Sequence, residues 1–528
     1  MGKTSAEAER KEFDARDASS LSLPGSALDA AEPVADSGEG KLKMIVGLVK
    51  KCLGVKDIAT MRISLPASLL EPIPNLEYWN YLDRPDVFAA INDSDDSLMR
   101  MLAVLRFTFT KDLKFVHGKI CKPYNSVLGE YFRCHTSFTP LTYPADPNEP
   151  PIFPPHTLTS HNSSLAPPDQ VPSETASVRS TTSTSGPSAA RSHKHRSSTG
   201  AAPGLNGAVE GNDANETEGA TNDDRVRVVF LTEQVSHHPP ISSFYITAPE
   251  RGIEACGVDQ ISAKVVGTSV RVTPGSSNRG IFISLTKGPG KLKYRLRSIV
   301  IPADQTVGSG EKYRITHNSA NVNGVLRGQF YATMSDSTII TCDRPGKDSL
   351  RAVVEYKEES WIGRSQFLVE GVIHTYDPTN PDECSSWTKV KSVPQSRVVA
   401  TFDGTWRGLI KWKRAGSTDT HTLVDLAALA VLPKQVRPVE QQLPNESHRL
   451  WEHVTKNLLS KNYSEATRVK QNIEQKQRDD AAVRKTKNEE FVPVYFETDI
   501  STGQPVLTAE GRKAVEEELA LAAAVPTS

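Results

Sequence analysis

Three short stretches carry side chains able to grip an anion. EQVSHHPP sets His237 beside His238, directly before two prolines. CKPYNSVLGEYF offers Lys122, Asn125 and Glu130 around turn-forming Pro and Gly. KQNIEQKQR spaces Lys470, Glu474 and Arg478 at four-residue intervals. A helix turns about 400° in four residues, so these three stay roughly on one face. A phosphorylated headgroup needs converging donors of these kinds: ammonium or guanidinium charge, imidazole N–H, amide and backbone N–H. At a tunnel mouth, partial burial strengthens each interaction. Each stretch also has a plainer reading. KPYN alone is a turn. A Lys–Glu–Arg stripe is commonly a solvated face, its i,i+4 pairs worth a few tenths of a kcal/mol. A histidine is commonly structural. The pair before two prolines is unusual, because a following proline holds the backbone extended and presents both rings at a strand end. Spacing alone does not join the three stretches into one site.

Other chemistries find less support. Structural zinc needs four N/S ligands at recognisable spacing. Adjacent histidines in a strand point to opposite faces, and neither HExxH nor CxxC accompanies them. No metal ligand and no catalytic residue is therefore assigned. GxSxG, a phosphate-binding P-loop and a strand-to-helix GxGxxG are absent, and GPGKLK lacks the P-loop spacing. No cofactor is implied.

The elements that must position these residues follow from patterning. The chain has 528 residues, 37% hydrophobic and 24% charged, so part of it is expected to stay unpacked. Residues 1–40 read as a disordered amino-terminal arm. KLKMIVGLVKKCLG then places Met44, Ile45, Leu48 and Val49 on one face of a short basic helix. LMRMLAVLRFTFT is apolar enough for a buried helix. Residues 145–222 collapse into Pro, Ser, Thr, Ala, Gly and Asn and read as a disordered insertion. Residues 225–412 are short runs rich in Val, Ile, Thr and aromatics, the signature of a large antiparallel sheet or barrel. From Ser447 the pattern turns helical, and residues 498–528 read as a tail. A net charge of −1 gives no global field toward nucleic acid or membrane, so any anion site is local. Six scattered cysteines suit a reducing compartment. The amino terminus is too polar for a secretory signal, and the longest apolar run, LVDLAALAVL, is too short to span a bilayer.

Taken together, the motifs resemble those of the oxysterol-binding-protein-related family. EQVSHHPP looks like its signature. CKPYNSVLGEYF resembles its Lys-Pro-x-Asn-Pro-x-Leu-Gly-Glu motif, with Ser126 where proline is usual. KQNIEQKQR resembles its carboxy-terminal helix, and PVEQQLPNESHRLW and FDGTWRGLI also look like family segments. The resemblance runs over residues 41–497, outside the insertion. It implies a β-rich (α+β) fold: an incomplete antiparallel β-barrel around a lipid tunnel, with an amino-terminal lid and carboxy-terminal helices. Met44, Ile45, Leu48 and Val49 become the lid. Phosphatidylinositol 4-phosphate contacts carry over to Lys122, Asn125, His237, His238, Lys470, Glu474 and Arg478.

The resemblance also implies a function without bond-making: lipid transfer between membranes, one lipid at a time. RISLPASLLE is similar to the phosphatidylserine-carrying subgroup, with Ala67 where that segment has threonine. Phosphatidylserine is therefore expected as second cargo, held by Leu65, Leu69, Lys122, Asn125 and Ser262. Sterol is the alternative cargo. A phosphoinositide-gated scaffold without transfer is the alternative class, and a lipid hydrolase the third. Expected partners are lipids, transient membrane surfaces and a contact-site receptor, for which RKEFDARDA supplies one phenylalanine, Phe13, where the docking motif has two. With only forty residues before the lipid domain, the chain reads as a short-form member, cytoplasmic and peripheral at endoplasmic reticulum contact sites.

Overall fold

The computed structural model describes residues 47, 52, 54–58, 70–117, 120–159, 225–286, 310–324, 330–344, 349–359 and 365–524. LMRMLAVLRFTFT lies within helix α1 (Ser97–Thr110), started by Asp96, whose carboxylate accepts from the Met99 amide at 2.9 Å. The helix is buried on nearly every side, as its apolar circumference demands. Its polar side chains are satisfied locally: Arg100 forms a two-pronged pair with Glu311 at 2.6 and 2.7 Å, and Thr108 donates to the Val104 carbonyl at 2.8 Å.

A sheet wraps this helix. The strands, which form two sheets, are β1 (Tyr131–Phe138), β2 (Val226–His237), β3 (Pro240–Ala248) and β4 (Ile253–Asp259), then β5 (Ile261–Val266), β6 (Ser269–Pro274), β7 (Ile281–Leu285) and β8 (Lys312–Ile315). There follow β9 (Ser319–Asn323), β10 (Tyr331–Ser335), β11 (Ser337–Asp343) and β12 (Ser349–Tyr356). The last are β13 (Leu368–Tyr376), β14 (Val398–Thr405), β15 (Leu409–Arg414) and β16 (His421–Asp425). Twelve strands form one antiparallel sheet in the order β1-β2-β3-β4-β7-β8-β11-β12-β13-β14-β15-β16. Four more form a second sheet, β10-β9-β6-β5. The large sheet does not close, as the incomplete barrel requires. One core joins residues from both of its ends, Phe132 and Phe230 with Phe402, Ile410 and Trp412, through Leu102, Leu105 and Phe107 of α1. Burial of each such side chain is worth roughly 1.5–3 kcal/mol.

Three boundaries differ from the sequence reading. Strand β1 precedes the insertion and pairs along its whole length with β2, from Tyr131↔Glu233 to Phe138↔Val226. The insertion is thus a connection between neighbouring strands. Its first fifteen residues belong to the fold: Ile152 bridges Thr142, the Thr159 amide donates to the Ala428 carbonyl at 2.9 Å, and Thr157 is buried. Only residues 160–222 of that segment lie outside the described residues. The supposed tail contains helix α4 (Ala509–Ala523), numbered after the two carboxy-terminal helices α2 (Glu452–Leu459) and α3 (Tyr463–Lys487). Ala514 and Val515 of α4 pack with Val229, Leu231, Tyr495 and Phe496.

Candidate functional site

The KPYN turn is fixed from several directions. Tyr124 is fully buried, stacks on Trp451 at 4.9 Å, and bridges by its hydroxyl to Thr455 of α2 at 2.9 Å. The buried Ser126 hydroxyl accepts from Asn75 Nδ2 at 3.3 Å, so a side-chain hydrogen bond braces the turn where the family has a proline ring. Gly129 has φ +77°, a left-handed conformation that suits glycine, and its α-carbon faces the Phe491 ring. Glu130 is fully buried and accepts from the Ser447 hydroxyl at 2.7 Å and the Val127 amide at 3.0 Å. Burial pushes its carboxyl up to about 7. Glu130 is therefore a brace for the turn. Lys122 and Asn125 point outward, with Lys122 Nζ donating to Asn125 Oδ1 at 2.8 Å.

The signature forms the β2–β3 hairpin. His237 ends β2, His238 and Pro239 make the turn, and Pro240 opens β3 opposite His237. The turn breaks the strand alternation at His238, so the two rings meet at 4.6 Å and 63° rather than facing opposite ways. Gln234 sews this strand to the first motif: its carbonyl accepts from the Gly129 amide at 2.9 Å, and its amide donates to the Glu130 carbonyl at 2.8 Å. Glu233 is fully buried and accepts from the Val494 and Tyr495 amides, both at 2.8 Å. It clamps the segment that follows α3.

Helix α3 brings the third stretch. Lys470 is 2% exposed and pairs with Glu474 at 2.6 Å. Ala466 is buried against Tyr124, Val127 and Trp451, with Val469 and Ile473 partly buried beside them. Gln477 reaches the backbone of Leu128 in the first motif, its Oε1 accepting from the amide at 3.1 Å. Arg478 is exposed and donates to Gln475 at 2.7 and 3.0 Å. Four-residue spacing drifts by about 40° per step, which carries Arg478 to the edge of the packed face.

The three stretches thus converge on residues 128–130. Lys122 is exposed in a concave setting, and crowding by protein together with the Lys470 charge pushes its ammonium down to about 8. Two cations from segments far apart in sequence are held close enough to repel. Such an arrangement suits an anion that neutralises both. Of the other expected contacts, Ser262 lies in β5, paired with Thr273, in the four-stranded sheet rather than the one carrying the histidines. Met44, Ile45, Leu48, Val49, Leu65 and Leu69 lie outside the described residues. Among the described residues, one group of three side chains has metal-ligand proximity, Asp146, Glu149 and His421, and the paired histidines are not part of it.

A second polar cluster sits at the end of α1, inside the sheet. The Tyr81 hydroxyl donates to Asp259 at 2.7 Å, and burial pushes Asp259 up to about 7. Burial also raises Asp112, but Lys111 and Lys114 outweigh it and hold the carboxyl at about 2. His317 Nε2 is buried and makes no hydrogen bond among the described residues, and Asp112 Oδ1 lies 3.6 Å from Lys114 Nζ. A cavity of about 30 Å³ lies against Thr108, Phe109, Asp112, Asn318 and Tyr356. Sequence reasoning missed this cluster, because its members come from four separate segments.

Comparison with known proteins agrees with this architecture. The sequence profile of the family described as oxysterol-binding protein matches residues 44–157 and 215–518. Oxysterol-binding protein-like protein 1 of Schizosaccharomyces pombe is 40% identical over 508 residues, covering 91% of this chain and 92% of that protein. Among solved structures, the Osh1 ORD domain in complex with cholesterol superposes with a TM-score of 0.52 at 17% identity, covering 90% of this chain and 88% of that one. The Osh3 ORD from Saccharomyces cerevisiae in complex with PI(4)P gives 0.51 at 14% identity, covering 91% and 93%. With its three motifs joined at one turn and the profile matched on both sides of the insertion, the chain belongs to the oxysterol-binding protein family.

Proposed function

We propose that this protein transfers lipids between membranes, exchanging phosphatidylserine for phosphatidylinositol 4-phosphate at endoplasmic reticulum contact sites. The observation that carries the reading is the joining of the three motifs at residues 128–130, through Gln477 of α3 and Gln234 of β2. In this reading His237 and His238 donate to the phosphates from the hairpin turn. Glu474 accepts from inositol hydroxyls while orienting Lys470. Arg478 swings from Gln475 to join them. Asn125 and Lys122 serve both cargoes, so the lipids exclude one another and a gradient of one drives the other. No bond is made or broken. The fold of the Osh structures and the family membership support lipid binding as the underlying activity.

The test is extraction from vesicles containing either lipid. The double variant His237→Ala, His238→Ala loses charge-assisted hydrogen bonds worth roughly 1.5–3 kcal/mol each. Phosphoinositide extraction is expected to fall at least about tenfold per ring on that scale, with most phosphatidylserine extraction kept. Undiminished phosphoinositide extraction refutes the site. A second reading, sterol in place of phosphatidylserine, draws on the interior cluster: Asp112 lines a small cavity that suits a hydroxyl group or a bridging water, and the buried His317 Nε2 makes no hydrogen bond among the described residues. Mass spectrometry of lipids that co-purify with the protein decides between the two.

A further inference from the structure

Gln477 of α3 pairs with the backbone of the first motif. Its carboxamide meets the backbone of Leu128 with both ends, Oε1 accepting from the amide at 3.1 Å and Nε2 donating to the carbonyl at 3.5 Å. The next two residues, Gly129 and Glu130, pair with Gln234 of the signature strand. Residues 128–130 are thus a junction, gripped by α3 on one side and by β2 on the other.

The helix needs such a grip. Its buried residues are Ala466 and Lys470, both in the first half. Beyond Ile473 the run EQKQRDDAAVRKTK presents no sustained apolar face that could seat it. The hydrogen bonds of its other side chains from Gln475 to Lys487 stay within the helix, among the described residues. Gln477 lies two turns after Lys470, so the two share a face. Fixing Gln477 on Leu128 therefore fixes the rotation of the helix that presents Lys470 and Glu474 to the turn carrying Lys122.

We infer that Gln477 is a positioning residue: it sets phosphoinositide affinity by holding Lys470 and Glu474 opposite Lys122, without touching the headgroup. The inference rests on the function proposed above. Only a carboxamide supplies one acceptor and one donor at this length. Glutamate keeps the acceptor and loses the donor. Leucine keeps the bulk and loses both.

The experiment uses the full chain with Gln477→Leu and Gln477→Glu. Lysine side chains carrying an NMR label are titrated without lipid, and extraction of phosphatidylinositol 4-phosphate from vesicles is measured in parallel. Thermal melts establish that each variant is folded. In the parent protein the Lys122 ammonium is pushed down to about 8 by the surrounding protein and the Lys470 charge. In Gln477→Leu its midpoint moves up toward that of an ordinary lysine, as Lys470 withdraws. Extraction falls about tenfold, the scale of a lost pair of hydrogen bonds, and Gln477→Glu falls between. A purely structural glutamine would change the melt without moving the Lys122 midpoint. An unmoved midpoint overturns the inference, as does a moved midpoint with extraction at the parent level. A moved midpoint in a protein whose parent form extracts no phosphoinositide overturns the proposed function and leaves the positioning of Lys470 standing.

Discussion

Lys122 shows what a cation proposed to bind a headgroup costs the fold that carries it. Its ammonium is pushed down to about 8, first by crowding of the surrounding protein and then by Lys470. A folded-state value below that of the unfolded chain means that the charged form is disfavoured by folding. The penalty is present below pH 8 and disappears as pH rises through the ordinary lysine range. Removing the charge in Lys122→Met is therefore expected to stabilise the protein at pH 7. Solvent at this exposed position screens the effect, so the gain is about 1 kcal/mol or less. On the proposed function, the same variant is expected to lose phosphoinositide extraction. Thermal melts at pH 7 and pH 10 check the sign: the advantage of the variant shrinks at the higher pH, and a variant less stable than the parent at pH 7 sinks the argument. Legibility at this scale divides by chemistry. Lys122, His237, His238 and Lys470 were readable because charge and short-range spacing announce them. Glu130, Glu233 and Gln477 were not, because each acts by pairing with backbone amides or carbonyls of a distant segment. A buried carboxylate serving as a backbone clamp looks the same in sequence as a solvated one.

At the scale of elements, the ends of the sheet are held by ion pairs that broke the apolar alternation. β1 reads YFRCHTSF, and Arg133 and His135 disguise it as a polar segment. Both are buried because α4 brings acids to meet them. His135 Nδ1 lies 2.8 Å from Glu518 Oε2, Arg437 pairs with Glu518, and Arg133 bridges Glu446 at 3.2 Å and Glu517 at 3.1 Å. Burial raises the Glu518 carboxyl, but His135 and Arg437 outweigh it and leave it below its ordinary value of 4.5. Its stabilisation is thus complete above pH 4.5 and fades as pH falls through the depressed folded value. Glu518→Gln takes the buried carboxylate away from Arg437, which keeps Glu517 at 3.3 Å, and from His135, and is expected to cost about 1–3 kcal/mol near neutrality. Denaturant melts from pH 7 down to pH 3 should show the gap between parent and variant narrowing below about pH 4.5 and closing as the parent carboxylate protonates at its depressed folded value. A gap independent of pH would mean that packing of α4, and not its charge, holds the sheet edge. The helix escaped the sequence reading for the same reason as β1: LTAEGRKAVEEELALAA has a narrow apolar face, and its second anchor is ionic.

For the whole molecule, the decisive property is that one junction serves three motifs. Residues 128–130 take hydrogen bonds from α3 and from β2, and the turn that begins at Lys122 is continuous with them. A lipid seated there meets all three stretches or none. Two lipids that both use Lys122 and Asn125 cannot sit there together, whatever their tails. Phosphatidylserine extraction should therefore be inhibited competitively by phosphatidylinositol 4-phosphate in the same vesicles. Inhibition should weaken by roughly a factor of ten or more in His237→Ala, His238→Ala, since that variant loses donors used by one cargo alone. In Lys122→Met both extractions should fall, because the shared cation is gone. Extraction of each lipid at its full separate rate from a mixed vesicle would mean two independent sites. Mutual exclusion, and with it any coupling of one flux to the gradient of the other, would then be lost as a mechanism. The interior cluster around Asp112 supplies the internal control. It stands on α1 and the sheet rather than on the junction, so Asp112→Asn should leave the competition intact while altering which tail or hydroxyl-bearing cargo is taken up.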